Sequence, residues 1–391
     1  METSPLTGIR VLEIGSYISV PYAGSLLCAL GAEVVKVERP VTGDDFRRQI
    51  DHKSPYFRQY NAGKRSLAVD LKRPEGSALV RDLVPRFDVV VENMRPGKMD
   101  ALGLGPDDLL PLRPDLVYAS VTGFGNGGPL ALRPAYDTIG QSFGGIVSVL
   151  SDTGSAGLSG TCMADLVTGL TTVTGIVASL VGRNNGRGSQ HVETSLMEAV
   201  STITIDAMTQ YFEDGHQDPT RQSRHPQAQN FVLATASDEH IALHLSSSQK
   251  FWFGLLQAMD KTDLADDPRF LTYDDRRRNY FALVDIVQAV FLTKPSDEWE
   301  KLLIAADVPF APVLGMGGYL AHPQIEWLEM AEPEENGLSL LRPPWRFDGA
   351  RPHRTQTTPK VGEHSEEIAA EVYDRSRIDA LVAAGTLYLG G

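Results

Sequence analysis

Cysteine is nearly missing from this chain. Among 391 residues only Cys28 and Cys162 carry a thiol. Both sit in apolar settings, so no disulfide framework and no cysteine-based zinc site is signalled. A reducing, cytoplasmic compartment is expected. Positive charge is in deficit as well, with 36 basic against 50 acidic residues and a net charge of −14. Nucleic-acid binders usually present a basic face, so no nucleic-acid partner is expected. A small anion held in a local basic pocket remains compatible with this balance. Long uncharged apolar runs are lacking: residues 159–182 are long enough to span a bilayer but hold Asp165 and many Gly, Ser and Thr, so no membrane partner is expected. METSPLTGIR shows no basic, apolar signal sequence. There is no G-x-S-x-G elbow, no P-loop and no HExxH. The nine histidines are scattered, and His240 and His244 fall in a predicted hairpin, so no metal site is expected.

What is present centres on residues 159–183, SGTCMADLVTGLTTVTGIVASLVGR, a small-residue apolar run of helix length. Between Asp152 and Arg183 its one charged residue is Asp165. A carboxylate in such a run loses hydration, which raises its pKa unless a partner compensates. No Lys, Arg or His lies within ten residues on either side, so a partner must come from elsewhere in the fold or from a ligand. Two readings stand: a helix-start Asp, or a functional carboxylate with a perturbed pKa.

The rest of the chain suggests α/β organisation. Residues 9–38 read as a βαβ unit, IRVLEI, a turn and helix to Gly31, then AEVVKVE. Such units build parallel, doubly wound sheets. Gly15 is followed by SYISVPYAG and not by the G-x-G-x-x-G fingerprint, so the unit is Rossmann-like without a dinucleotide signature. Ligands in such sheets bind beyond the strand C-termini, which brings residues 15–20 and Arg39 to one crevice. Lys64, Arg65, Lys72 and Arg73 form a basic cluster, a candidate anion site or a solvated surface. DVVVEN and LVYASVTGFG read as strands, and SQHVETSLMEAV as a strand entering a helix. After about residue 210 a polar linker leads into a predicted α+β module at 225–315. This has a hairpin tipped by SDEH and three amphipathic helices. A Pro-rich tail follows, with a final helix near HSEEIAAEVYD. The predicted organisation is a large domain over 1–210 and a small domain at 225–315. A lone carboxylate beside a basic crevice suits covalent attack on an activated acyl group, such as a thioester.

These residues resemble the family III coenzyme A transferases, the group that includes formyl-CoA transferase and the carnitine CoA-transferase. The carriers are PLTGIRVLEIG, LGAEVVKVERP, NAGKRSLAVDLK, VVVENMRPG, PAYDTIGQ, MADLVTG, GRGSQHVETSLMEAV, VPFAPV and GEHSEEI, spread over nearly the whole chain. The resemblance implies a Rossmann-like large domain built from both chain ends, with 316–391 returning to it, a smaller inserted α+β domain, and an interlocked homodimer. It implies CoA and acyl-CoA as substrates with a carboxylic acid acceptor, and no permanently bound cofactor. It makes Asp165 the acyl-accepting residue. CoA would lie along Tyr17, Ile18, Ser19, Arg39, Val69, Lys72, Asn93 and Met94, with Tyr136 and Asp137 lining the active site. Three departures stand out. The glycine-rich loop of formyl-CoA transferases is replaced by HIALHLSSSQKFW. An arginine that some members carry is Ala101 here, with Arg95 as a candidate substitute. The α-methylacyl-CoA racemases of the same fold carry a His where this chain has Tyr136, which favours transfer over racemisation. A non-catalytic CoA-binding protein is a further alternative, and Asp165 argues against it.

Overall fold

The computed structural model describes residues 4–48, 54–152, 154–246, 248–333, 338–354 and 357–390. The chain divides into two compact units: residues 1–147, 158–205 and 324–391 form the larger, and 148–157 with 206–323 the smaller.

The larger unit is built on a seven-stranded sheet. Its strands are β1 (Arg10–Ile14), β2 (Glu33–Glu38), β3 (Arg65–Val69), β4 (Val89–Glu92), β5 (Val117–Thr122) and β6 (Gln190–Ser195), with Leu387–Tyr388 at one edge. The first six are parallel in the order 3-2-1-4-5-6, and Leu387–Tyr388 pairs antiparallel with β3. Parallel strands covered by helices on both faces need apolar residues throughout. All four residues of β4, VVVE, are buried, as are all six of β5. The predicted βαβ unit is present as β1, helix Ser19–Ala29 and β2.

The 159–183 run folds as the helix Met163–Asn184, which packs against Ser19–Ala29 and β6. It is the one described helix long and apolar enough to cross a bilayer. Here one face of it packs into the unit: Thr168, Thr172, Val173 and Ile176 are buried. Gly169 allows the close approach, because a Cβ there would lie 2.7 Å from the Tyr22 ring and 3.0 Å from the Ser19 carbonyl oxygen.

In the smaller unit, β7 (Asn230–Ala234), β8 (His240–His244) and β9 (Phe310–Pro312) form an antiparallel sheet. Helices Gln249–Ala258, Tyr280–Phe291 and Ser296–Ala305 cover it, around a core that includes Phe291 stacked on Trp299 at 4.3 Å. This unit starts earlier than residue 225. Helix Ile205–Glu213 runs into the stretch read as a linker, where the Ser223 hydroxyl donates to Thr220 O (2.9 Å) and Gln210 Oε1 (3.2 Å). Side-chain bonds of this kind order a polar segment that has no apolar periodicity to signal it. The predicted final helix is short, Ser365–Ala369. The last helix is Arg375–Ala383, started by Asp374 accepting from the Arg377 amide.

Candidate active site

Strand order reverses between β1 and β4, and in open α/β sheets ligands bind beyond the strand ends at that point. Residues following the two strands meet there. Asn93 clamps the loop after β1: its Oδ1 accepts from the Ser16 amide (3.1 Å), and its Nδ2 donates to Ser16 O (3.0 Å) and Ser19 Oγ (3.3 Å). Tyr17 holds a left-handed backbone, φ 65°, with its amide donating to Asp44 Oδ1 (3.3 Å). That conformation is uncommon for a bulky residue and persists only where its surroundings enforce it. Its ring meets Tyr136 edge-on at 5.7 Å.

Two clefts adjoin at this point, with Ser16 and Met94 in both walls. The smaller, about 170 Å³, contains Asp165, Tyr17, Ser19, Asn93 and Tyr136. Asp165 lies in the first turn of the Met163–Asn184 helix, whose start has no side-chain cap from Cys162. Asp137 supplies the contact instead, its Oδ1 accepting from the Asp165 amide (3.2 Å) while Gln141 donates to its other oxygen. Burial, and secondarily the Asp137 charge, push the Asp165 carboxyl up to about 7. Asp137 therefore holds the backbone that carries Asp165 and opposes its ionisation. It stands behind Asp165 rather than in the cleft wall.

The larger cleft, about 580 Å³, is walled by Arg39, Val69, Lys72 and Lys98 among others. Arg39 donates to Gly43 O (3.1 Å) and pairs with Asp45. Lys72 and Lys98 have no ion pair among the described residues. Of the residues expected at the site, Ile18 lines neither cleft. It is buried with Phe46 and Phe57.

The basic cluster at 64–73 does not form one surface. Lys64 is fully buried, with Nζ 2.6 Å from Glu13, and Arg65 pairs with Glu33 and Glu367 (both 2.7 Å). An uncompensated interior ammonium is too costly, so Lys64 serves the interior and Lys72 alone reaches the large cleft. Arg95 lines the Asp165 cleft. Ala101 borders a groove with Arg81 that shares Leu71, Lys72 and Leu102 with the large cleft. The stretch standing where a glycine-rich loop was sought forms β8 and the start of the Gln249–Ala258 helix, with residue 247 outside the described residues.

Ser16, within the 15–20 stretch expected at the crevice, lines both clefts; sequence reasoning missed Lys98 and Arg133 in the cleft walls, and Glu92 beneath them. The Glu92 carboxylate accepts from the Met94 amide (2.7 Å), and burial pushes it up to about 7. The available signals were two arginines placed directly before prolines, Arg95-Pro96 and Arg133-Pro134, and an acid closing an otherwise apolar strand.

Residues 6–365 match CoA-transferase family III. The chain is 31% identical to the succinate–glutarate CoA-transferase of Agrobacterium fabrum, covering 94% of this chain and 96% of that protein. It is 28% identical to the human succinyl-CoA:glutarate CoA-transferase, covering 98% and 90%. Among solved structures, a CAIB/BAIF family protein from Brucella suis aligns with TM-score 0.83 at 31% identity, over 95% of this chain and all of that one. With this match across the switch-point clefts and their carboxylate, the chain belongs to the family III CoA-transferases, enzymes that transfer CoA between an acyl-CoA and a carboxylic acid.

Proposed function

We propose that transfer proceeds through Asp165 as a covalent acyl carrier, in a cytoplasmic, interlocked homodimer whose large domain is built from both chain ends. The observation that carries the mechanism is a half-buried carboxylate in the wall of a small cleft that shares Ser16 and Met94 with a second cleft, the latter of a volume suited to a nucleotide-sized ligand. The Asp165 carboxylate attacks the thioester carbonyl carbon, the C–S bond breaks, and CoA leaves as thiolate. The thiolate attacks the aspartyl carbonyl of the mixed anhydride, releasing the first acid and leaving an aspartyl-CoA thioester. The acceptor carboxylate attacks that thioester, and the returning thiolate attacks the acceptor's acyl carbonyl, restoring Asp165. No net proton is consumed.

Arg39, Lys72 and Lys98 hold the CoA phosphates. Val69 and Met94 supply apolar wall, and the Asn93 clamp on the 16–19 loop keeps Tyr17 and Ser19 beside the thioester. Tyr136 stabilises the developing oxyanion. Position 136 offers no imidazole base for racemisation. The dimer is supported by large apolar side chains left on the surface of the larger unit, among them Phe143 and Val181, each 55% exposed.

Intact-protein mass spectrometry after mixing with acyl-CoA, with hydroxylamine or borohydride trapping, tests the carrier. The expected label maps to the peptide holding Asp165, and Asp165→Asn gives none and loses transfer by several orders of magnitude. Full transfer activity in Asp165→Asn overturns the assignment.

A further inference from the structure

We infer that the Asp165 cleft selects dicarboxylic substrates, with Arg95 and Arg133 binding the carboxylate that does not react. This rests on the transferase reading above and adds the substrate class and the residues that read it.

In the larger unit several arginines are matched to acids: Arg10 to Glu33 and Glu371, Arg47 to Glu38, Arg113 and Arg183 to Asp88. Arg95 and Arg133 are not. Both are exposed, both stand in the wall of the Asp165 cleft, and neither makes an ion pair among the described residues. In a chain of net charge −14, two uncommitted guanidiniums facing one small cleft are a concentration of positive potential where anions enter.

Their backbones are restrained as well. Each directly precedes a proline, which keeps the preceding residue away from helical conformations. Arg95 sits in the turn after β4, next to the Asn93 clamp, and Arg133 sits in the turn that leads to Tyr136 and Asp137. The guanidinium fork matches a carboxylate in a bidentate way that a lysine does not reproduce.

Asp165 stands in the wall of the same cleft and makes no ion pair with either arginine among the described residues. The wall also contains Val121, Ala135 and Leu196, apolar surface that suits a short aliphatic spacer. At about 170 Å³, the cleft falls below the roughly 300–1,000 Å³ of pockets for drug-sized ligands. That volume suits a short acid, and a monocarboxylic acid would leave both guanidiniums without a carboxylate partner. The CoA phosphates have cations of their own, Arg39, Lys72 and Lys98, in the larger cleft.

The test compares glutarate with pentanoate, acids of equal chain length that differ by one carboxylate, with succinyl-CoA as donor. Because transfer occurs in two half-reactions, kcat/KM for the acceptor is independent of the donor. Wild-type protein is expected to prefer glutarate by about a hundredfold or more. This corresponds to two charge-assisted hydrogen bonds at roughly tenfold each. Arg95→Gln and Arg133→Gln are each expected to raise KM for glutarate about tenfold, with kcat and the pentanoate values nearly unchanged, and Arg133→Lys to fall between. Equal use of both acids by wild-type protein overturns the inference and leaves the transferase reading intact. So do variants that impair both acids equally or that dissociate the dimer, since the arginines would then be general structural or interface groups. Transfer to no acid in a wider panel, with no adduct at Asp165, overturns the transferase reading and this inference with it.

Discussion

Asp165 combines two opposing effects. A helix start favours a carboxylate, yet burial and the neighbouring Asp137 charge win and push the group up to about 7. A nucleophilic carboxylate must be ionised, so kcat/KM should rise about tenfold per pH unit below 7 and level off above it, a profile measurable at fixed ionic strength. A flat profile between pH 5 and 8 would contradict the assignment. The same shift has a sign for stability. From the ordinary value of 3.8 up to about 7 the folded chain holds a proton that the unfolded chain has released. That contribution to stability is complete below 3.8 and is lost as pH rises through 7. Asp165→Asn should therefore be more stable than wild type at pH 8, by about 1–2 kcal/mol after discounting for partial exposure, with the gap closing toward pH 4. Denaturant titration at the two pH values reads this directly. Arg39 and Lys72 make a second residue-level prediction. Replacing either with Ala should weaken CoA binding by about 1–3 kcal/mol by calorimetry, the range for a lost charge-assisted bond. Unchanged affinity in both variants would mean that the phosphates lie elsewhere.

At the level of elements, β1 and β2 are held in register by more than backbone bonds. Glu13 in β1 contacts Lys36 of β2 (3.0 Å) and Lys64 just ahead of β3 (2.6 Å), and all three are fully buried. Lys36 also pairs with Asp44 (2.9 Å) and donates to Gly15 O (2.8 Å), which ties this network to the loop that carries Tyr17. Gly24 leaves the space, since a Cβ there would fall 1.9 Å from a Glu13 oxygen. Removing one partner of a buried ion pair leaves an uncompensated charge, costing about 3–5 kcal/mol. Glu13→Ala should lose that much stability at a fixed protein concentration, measured by urea denaturation, and should weaken CoA binding through the loop. A loss below about 1 kcal/mol would show that the network is not structural. The pattern of apolar runs made these strands legible, because parallel strands demand continuous burial. The network was not legible, because Glu13 finds its partners 23 and 51 positions away and the reading of Lys64 and Arg65 as an anion site or solvated surface relied on neighbours in sequence.

At the scale of the whole molecule, interlocked subunits cannot separate without unfolding. Sedimentation at nanomolar concentration should therefore find dimer or unfolded chain and no folded monomer; a compact monomer would rule interlocking out. The return of the chain end to the large unit is visible in the strand Leu387–Tyr388 paired with β3. The sequence carried only a weak sign of this return, since a two-residue edge strand has no periodicity to read. The smaller unit's extra segment, 148–157, was likewise invisible, because membership in a unit depends on contacts rather than on local pattern.

By itself, the sequence determined what is set by local chemistry. It showed the βαβ alternation, the apolar helix around a single Asp165, the deficit of thiols and basic charge, and the family motifs. Those features follow from periodicity, composition and short-range spacing. Tertiary structure alone decided which charges face ligand and which face the interior. It set Asp137 behind Asp165 across 28 positions, sent Lys64 inward to Glu13, and brought Arg95 and Arg133 from separate turns to one cleft. The physical reason is that a charge takes its meaning from its surroundings: the same residue is a solvated surface group, a buried partner or a substrate anchor according to contacts that only the folded chain creates.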